Sequence, residues 1–151
     1  MSFEKTYLFE GMDQEFIGKV SSALIEETFE EGSFIFRQGD PATSLYFLIS
    51  GRVRVTVGAH GSVTKILSRP GDAFGWSSLV GRGTYTASTK CLDTTRVKRV
   101  SAQKMNRLLE KDPSAGLVFY RRLARFIRER LIDSYRILLT YDAENKPHSY
   151  G

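Results

Sequence analysis

The residues best suited to bind an anion lie in the stretch 70–89. Gly75 stands just before a predicted helical turn, where a residue without a side chain lets backbone N–H groups approach a ligand closely. Free N–H groups at the start of a helix attract an anion such as phosphate. Hydroxyl groups nearby add hydrogen-bond donors and acceptors, and they belong to Ser77, Ser78, Thr84, Thr86 and Ser88. The stretch therefore predicts an anion site, with the alternative that it is only a glycine-containing loop between strands.

The same stretch resembles the phosphate-binding cassette of the cyclic-nucleotide-binding domain family, which includes the sensor domains of Crp-Fnr-type regulators. The family pattern reads roughly P-G-D-x-F-G-E-x-A-L and, after a variable loop, R-x-A-T. The residues that match it are Pro70, Gly71, Asp72, Phe74, Gly75, Leu79, Ala87 and Ser88. Residues 32–40 and 45–55 are similar to the front half of the family's β-roll, so the resemblance covers about residues 12–140. It implies a cyclic nucleotide or another small anionic ligand, and no other cofactor.

Two positions depart from the family pattern. Trp76 stands where the family has the glutamate that binds the ribose 2′-hydroxyl, and Tyr85 stands where it has the arginine that pairs with the cyclic phosphate. Charged hydrogen bonds contribute about 1.5–3 kcal/mol each, so the affinity for cyclic AMP is expected to be roughly 10²- to 10⁴-fold weaker. Arg82, between two glycines, could swing inward and replace the missing arginine; the alternative is a solvated loop arginine.

Three interpretations stay open for Trp76 and Tyr85. They stack on a base or another flat ligand, they fill the pocket, or they pack as core residues of a remodelled cassette. In the first case Gly75, Ser77, Ser78, Thr86 and Ser88 hold the anion while the two rings shape the pocket. The predicted ligand-binding residues in the cassette are Phe74, Gly75, Trp76, Ser77, Ser78, Leu79, Arg82, Tyr85, Thr86, Ala87 and Ser88.

Short strands must position this stretch. Between residues 25 and 101 apolar and polar residues alternate, and turn residues recur about every 8–12 positions, which is typical of a β-sandwich or barrel. The resemblance implies a mainly β domain with flanking helices: a double-stranded β-helix, or jelly-roll-like β-roll, followed by a long C-terminal helix. We predict an N-terminal arm over 1–11, the domain over 12–140 and a flexible tail over 141–151.

Helical spacing of apolar residues predicts a helix over 13–24, one over 102–111 capped by Ser101, and a long one over 114–139. The long helix is apolar on more than one face and therefore needs two partners. One is the β-roll and the other is the same helix of a second copy, with the alternative that both faces pack on the roll of a monomer. In the family a residue near the middle of this helix reaches the ligand, and the matching segment here, 128–131, adds Arg130 to the predicted ligand-binding residues.

The net charge of +5 and six arginines on the last helix invite a nucleic-acid interpretation. The alternative is a solvated helix face whose arginine stems cover apolar surface. Family regulators that bind DNA carry a helix-turn-helix after the long helix, and only 12 residues follow Leu139. This number is too small for two more helices, which argues against direct DNA binding.

Other function classes find little support in the composition. The chain has two histidines, His60 and His148, and no His-x-His, Cys-x-x-Cys or Ser/His/Asp arrangement, which argues against an enzyme and against a metal site. The single cysteine, Cys91, excludes an internal disulfide and fits a reducing compartment. No signal peptide is apparent and no apolar run approaches about 18 residues, so we expect a cytoplasmic protein without membrane contact.

The leading hypothesis is a single-domain regulatory sensor in signal transduction. Its ligand would lie between the cassette and the long helix, and the helix would report to a homodimer partner or to a separate effector protein. The alternative is a ligand-free dimerisation or protein-interaction module in which the aromatic pair fills the pocket. That alternative predicts tight packing around Trp76 and no cavity beside Gly75.

Overall fold

The short strands pair into two sheets. The architecture comes from a computed structural model, which describes residues 6–58 and 63–145. In these ranges the strands form two four-stranded antiparallel sheets, of order β1-β8-β3-β6 and β2-β7-β4-β5. The strands are β1 (Ile25–Phe29), β2 (Phe34–Phe36), β3 (Ser44–Ser50), β4 (Val53–Val57), β5 (Val63–Leu67), β6 (Ala73–Phe74), β7 (Ser88–Cys91) and β8 (Thr95–Ser101). The helices are α1 (Gln14–Ala23), α2 (Ser77–Val80), α3 (Ala102–Lys111) and α4 (Pro113–Asn145).

Strand β3 shows how one sequence pattern builds two cores. Leu45 and Phe47 point to one side and join the helices, while Tyr46 and Leu48 point to the other side and join the interior of the roll. Successive side chains of a strand face opposite sides, so the continuous run Leu45–Leu48 is buried on both. The β-roll with flanking helices and a long C-terminal helix confirms the predicted fold class.

Side-chain caps fix where the last two helices begin. The Ser101 hydroxyl accepts a hydrogen bond from the Lys104 N–H at 3.1 Å, and the Asp112 carboxylate accepts one from the Ala115 N–H at 3.1 Å. The predicted Ser101 cap is therefore confirmed. Pro113 is the first residue of α4, a position that needs no N–H donor.

One boundary prediction is wrong. The long helix continues to Asn145 instead of ending at 139, so residues 141–145 belong to the helix and not to a tail. In the N-terminal arm, Leu8 and Phe9 are fully buried among the helices, and Tyr7 is exposed. Residues 1–5, the turn 59–62 with His60, and residues 146–151 with His148 lie outside the described residues.

Candidate functional site

Gly75 forms the sharp corner between β6 and α2. Its φ is +84°, a conformation that side chains disfavour, and an added Cβ would lie 3.0 Å from the Ser44 carbonyl oxygen and 3.3 Å from the Tyr46 ring. The position therefore requires glycine for both its backbone conformation and its space. The hydroxyl of Ser78 donates to the Gly75 carbonyl at 2.8 Å and closes the turn.

The cassette leaves part of its backbone unpaired. The N–H of Ser78 donates to the Gly75 carbonyl at 3.1 Å and that of Leu79 to the Trp76 carbonyl at 2.9 Å. No acceptor in the described part of the chain takes the N–H groups of Gly75, Trp76 and Ser77. These amides are available to a ligand or to water.

A cavity of about 240 Å³ lies beside Gly75. Its floor is the cassette, its side wall is formed by β4 and β5, and its roof is one face of α4. The predicted site residues that line it are Phe74, Gly75, Trp76, Ser77, Tyr85, Thr86, Ala87 and Arg130. An open cavity at this place contradicts the ligand-free alternative, which predicted none beside Gly75.

Four predicted site residues do not line the cavity. Ser78 closes the α2 turn, and Leu79 packs against the helical core. Ser88 accepts a hydrogen bond from the Gln38 N–H at 2.9 Å. Arg82 is exposed on the loop between α2 and β7, as the solvated-arginine alternative predicted, so it does not occupy the place of the missing arginine.

Tyr85 is a framework residue of the roll. Its ring stacks on Phe36 with centroids 3.7 Å apart, and only 4% of the residue is exposed. Its hydroxyl donates to the Ser44 carbonyl at 2.8 Å and accepts from the Ser44 N–H at 3.1 Å. Burial raises the pKa of the Tyr85 phenol. Tyr85 therefore packs as a core residue, which is the third of the three interpretations. The residue still borders the cavity.

Trp76 and Arg130 meet at the roof of the cavity. The indole packs edge-on against Phe126 of α4 with centroids 5.7 Å apart. The Arg130 guanidinium carbon lies 4.7 Å from the Phe126 ring centroid and 5.6 Å from that of Trp76. One of its terminal nitrogens donates to the Ala73 carbonyl at 3.3 Å. Trp76 is therefore partly buried beside the cavity and does not fill it.

The electrostatics of the roof centre on Arg130. Burial lowers the pKa of its guanidinium, and the nearby Asp72 and Asp133 oppose that effect. An arginine nevertheless stays charged in proteins. No ion pair of the described residues includes Arg130. The site thus holds a positive charge that is partly withdrawn from water and forms no ion pair with the nearby carboxylates.

An ion pair that the sequence did not predict also borders the cavity. Lys65 of β5 forms an ion pair and hydrogen bond with Asp133 of α4, and both side chains are about one-third exposed. The Lys65 ammonium lowers the pKa of the Asp133 carboxyl. Sequence reasoning also missed most of the apolar wall, which consists of Phe36, Val55, Val57, Ile127, Leu131 and Ile137. The i, i+3, i+4 spacing on α4 was visible, but not which of its faces would turn toward the cassette.

A metal site and a membrane-spanning helix receive no support from the described residues. Across 6–58 and 63–145, no group of three or more His, Cys, Asp or Glu side chains could hold a metal ion. In the same ranges no helix is long and apolar enough to cross a bilayer.

Comparisons with known proteins show the family to which the chain is related. Residues 26–112 match the family described as cyclic nucleotide-binding domain. The cyclic AMP receptor protein of Thermus thermophilus is 29% identical over 124 residues, which are 81% of this chain and 57% of that protein. The human potassium/sodium hyperpolarization-activated cyclic nucleotide-gated channel 4 is 31% identical over 112 residues, which are 74% of this chain and 9% of the channel.

A solved structure gives the corresponding result for the fold. The crystal structure of the Thermus thermophilus catabolite activator protein matches with a TM-score of 0.69 at 27% identity, over 91% of this chain and 64% of that one. The chain thus spans less than two thirds of the length of each of these relatives.

Proposed function

This chain belongs to the cyclic nucleotide-binding domain family, and on that premise we propose that it is a regulatory sensor module for a small anionic ligand. The ligand binds in the cavity between the cassette and α4, and α4 transmits the event. The observation that carries the proposal is the open cavity beside Gly75 with the Arg130 guanidinium at its roof. A guanidinium and unpaired backbone N–H groups are the donors that oxyanions prefer.

Cyclic AMP is expected to bind weakly. Tyr85, at the position of the family's phosphate-pairing arginine, is committed to the Ser44 backbone and offers no charge. Trp76, at the position of the ribose-binding glutamate, offers no carboxylate. Arg130 brings a guanidinium to the cavity from α4. The charged group that binds the anion therefore belongs to the helix and not to the β-roll.

An anion-binding residue on α4 gives a route by which ligand binding can act on this helix. The residues of α4 that line the cavity recur along one helical face: Ile127, Arg130, Leu131, Ser134 and Ile137. A ligand held by this face favours the arrangement in which α4 covers the roll, because ligand binding shifts a protein toward the state with more ligand contacts. Binding then changes how firmly α4 is held and what its outer face presents.

The outer face of α4 suits a second copy of the chain or a separate effector protein. Leu117 and Leu138 lie 21 residues apart, a multiple of seven, and are 57% and 44% exposed. Neither lines the cavity. Apolar residues at heptad spacing are typical of a helix that packs against a partner helix. We therefore place the homodimer contact at Leu117 and Leu138; the sequence predicted only that a homodimer would form through this helix.

The ligand proposal is tested by thermal unfolding of the full chain with cyclic AMP, cyclic GMP, cyclic di-GMP and small aromatic carboxylates. A ligand present at 100 times its Kd stabilises by about 2.7 kcal/mol, which is about 5–11 °C for a chain of this size. We expect such a rise with at least one probe. An unchanged Tm with every probe would remove the sensor proposal and leave α4 as an interaction surface.

The dimer proposal is tested by sedimentation velocity. We expect a dimer whose dissociation is promoted by Leu117→Glu but not by Ser114→Glu, a control at an exposed position near the start of the same helix. A wild-type chain that stays monomeric at every concentration would contradict this contact.

A further inference from the structure

The polar side chains that border the cavity are mostly engaged with one another. The Ser77 and Thr86 hydroxyls lie 3.3 Å apart, and the Ser134 hydroxyl donates to the Arg130 carbonyl at 2.9 Å. Lys65 and Asp133 are paired and neutralise each other. The uncommitted side-chain hydrogen-bonding capacity therefore lies mainly on the Arg130 guanidinium, which has one acceptor, the Ala73 carbonyl.

The remaining walls are apolar. They consist of aromatic rings and branched aliphatic side chains, chiefly Phe36, Val55, Phe74, Trp76, Leu131 and Ile137. A ribose ring placed against these walls would exchange its hydrogen bonds to water for apolar contacts, and unsatisfied hydroxyl groups are costly to bury. A ring without polar substituents meets no such cost and gains from burial.

The charge and the volume of the cavity narrow the ligand class further. The Arg130 guanidinium forms no ion pair with any residue that the structure describes, while Asp133 is paired with Lys65, so the cavity complements one negative charge. A guanidinium can bind a planar carboxylate through two parallel hydrogen bonds. A volume of about 240 Å³ lies below the range of about 300–1,000 Å³ that drug-sized ligands occupy. A flat, rigid ring also loses little conformational freedom on binding.

We propose that the ligand class is a compact aromatic monocarboxylate. Its carboxylate binds the Arg130 guanidinium, and its ring lies against Trp76 and the apolar wall of β2, β4 and α4. This inference rests on the proposed sensor function and specifies the ligand of that same cavity.

Trp76 provides the assay, because it is the single tryptophan of the chain and lines the cavity. The probes are benzoate, phenylacetate and 3-phenylpropionate, which do not absorb where tryptophan is excited. Each acid is compared with its primary amide, which keeps the shape and removes the charge. We expect at least one acid to change the Trp76 emission and to bind roughly 10- to 100-fold more tightly than its amide.

Arg130→Met tests the anchor, and Arg128→Met is the matched control. Arg128 lies on the same helix but is exposed and paired with Glu129. We expect Arg130→Met to remove the preference for acid over amide and Arg128→Met to keep it. Val55→Phe, which fills the cavity from β4, is expected to abolish binding of both probes. It provides a second test if circular dichroism shows that Arg130→Met does not fold.

The possible results separate this inference from the sensor proposal. If cyclic AMP binds at Trp76 more tightly than every acid, the ligand class is wrong and the sensor proposal stands. Equal binding of acid and amide, or an unchanged preference in Arg130→Met, also overturns the ligand class. If neither the acids nor the cyclic nucleotides alter Trp76 emission or give a calorimetric signal, both proposals fail.

Discussion

Replacing Tyr85 with Phe is expected to destabilise the fold while leaving the ligand cavity intact. The substitution keeps the ring on Phe36 but removes the hydroxyl that both donates to and accepts from the Ser44 backbone. Because the site is buried, the Ser44 groups would find no water in exchange, and an unsatisfied buried partner costs about 1–3 kcal/mol. For a domain of this size the expected fall in Tm is about 2–12 °C.

Urea denaturation followed by circular dichroism measures this loss. Tyr135→Phe is the matched control, because Tyr135 lies on α4 with 55% of its surface exposed, and we expect it to change the free energy of unfolding by less than about 0.5 kcal/mol. The same two variants are then titrated with the best-binding probe. We expect equal affinities.

Two results would refute this reasoning. If Tyr85→Phe is no more destabilising than Tyr135→Phe, the Ser44 hydrogen bonds do not contribute to the framework. If Tyr85→Phe instead weakens ligand binding at unchanged stability, its hydroxyl contacts the ligand, and Tyr85 takes over part of the role of the arginine found at this position in the family.

Three further perturbations test separate parts of the structure. Gly75→Ala should destabilise the fold more than Gly83→Ala in urea denaturation, because both glycines have positive φ but only at Gly75 would the new Cβ meet neighbouring atoms. Equal losses of stability would show that the Cβ at Gly75 meets no such atoms. Lys65→Met should raise the pKa of Asp133 toward its ordinary value in an NMR titration, since the Lys65 ammonium lowers it; an unchanged pKa would show that the pair does not form in solution. Burial raises the pKa of Tyr46 to about 12, so the proton is held more tightly in the folded state, and the free energy of unfolding should fall by up to about 2–3 kcal/mol as pH rises from 10 to 12. A Tyr46→Phe variant that loses stability just as steeply over this pH range would contradict that assignment.

The fold was predictable because its signals are local and agree with one another. The alternation along β3 and β4 and the cap at Ser101 each follow from the chemistry of a few neighbouring residues. The corner at Gly75 is of the same kind, since a glycine between a short strand and a helical turn signals a special backbone conformation.

The site was only partly predictable, because its side chains come together from distant parts of the chain. Nothing near Tyr85 in sequence indicates that its hydroxyl will meet the backbone of Ser44, 41 residues earlier. Arg82 was the nearest candidate to replace the missing arginine, but Arg130 from α4 is the one that reaches the cavity. The choice between them depends on which face of α4 packs over the roll, and that is a tertiary property.

The most direct test is the amide and arginine side-chain NMR spectrum of the full chain during titration with 3-phenylpropionate and, separately, with cyclic AMP. If a small anion binds in this cavity, one of these probes will shift the N–H signals of Gly75, Trp76 and Ser77 together with the Arg130 guanidinium. Signals that stay in place with both probes, or that move only on the outer face of α4 near Leu117, would contradict the account.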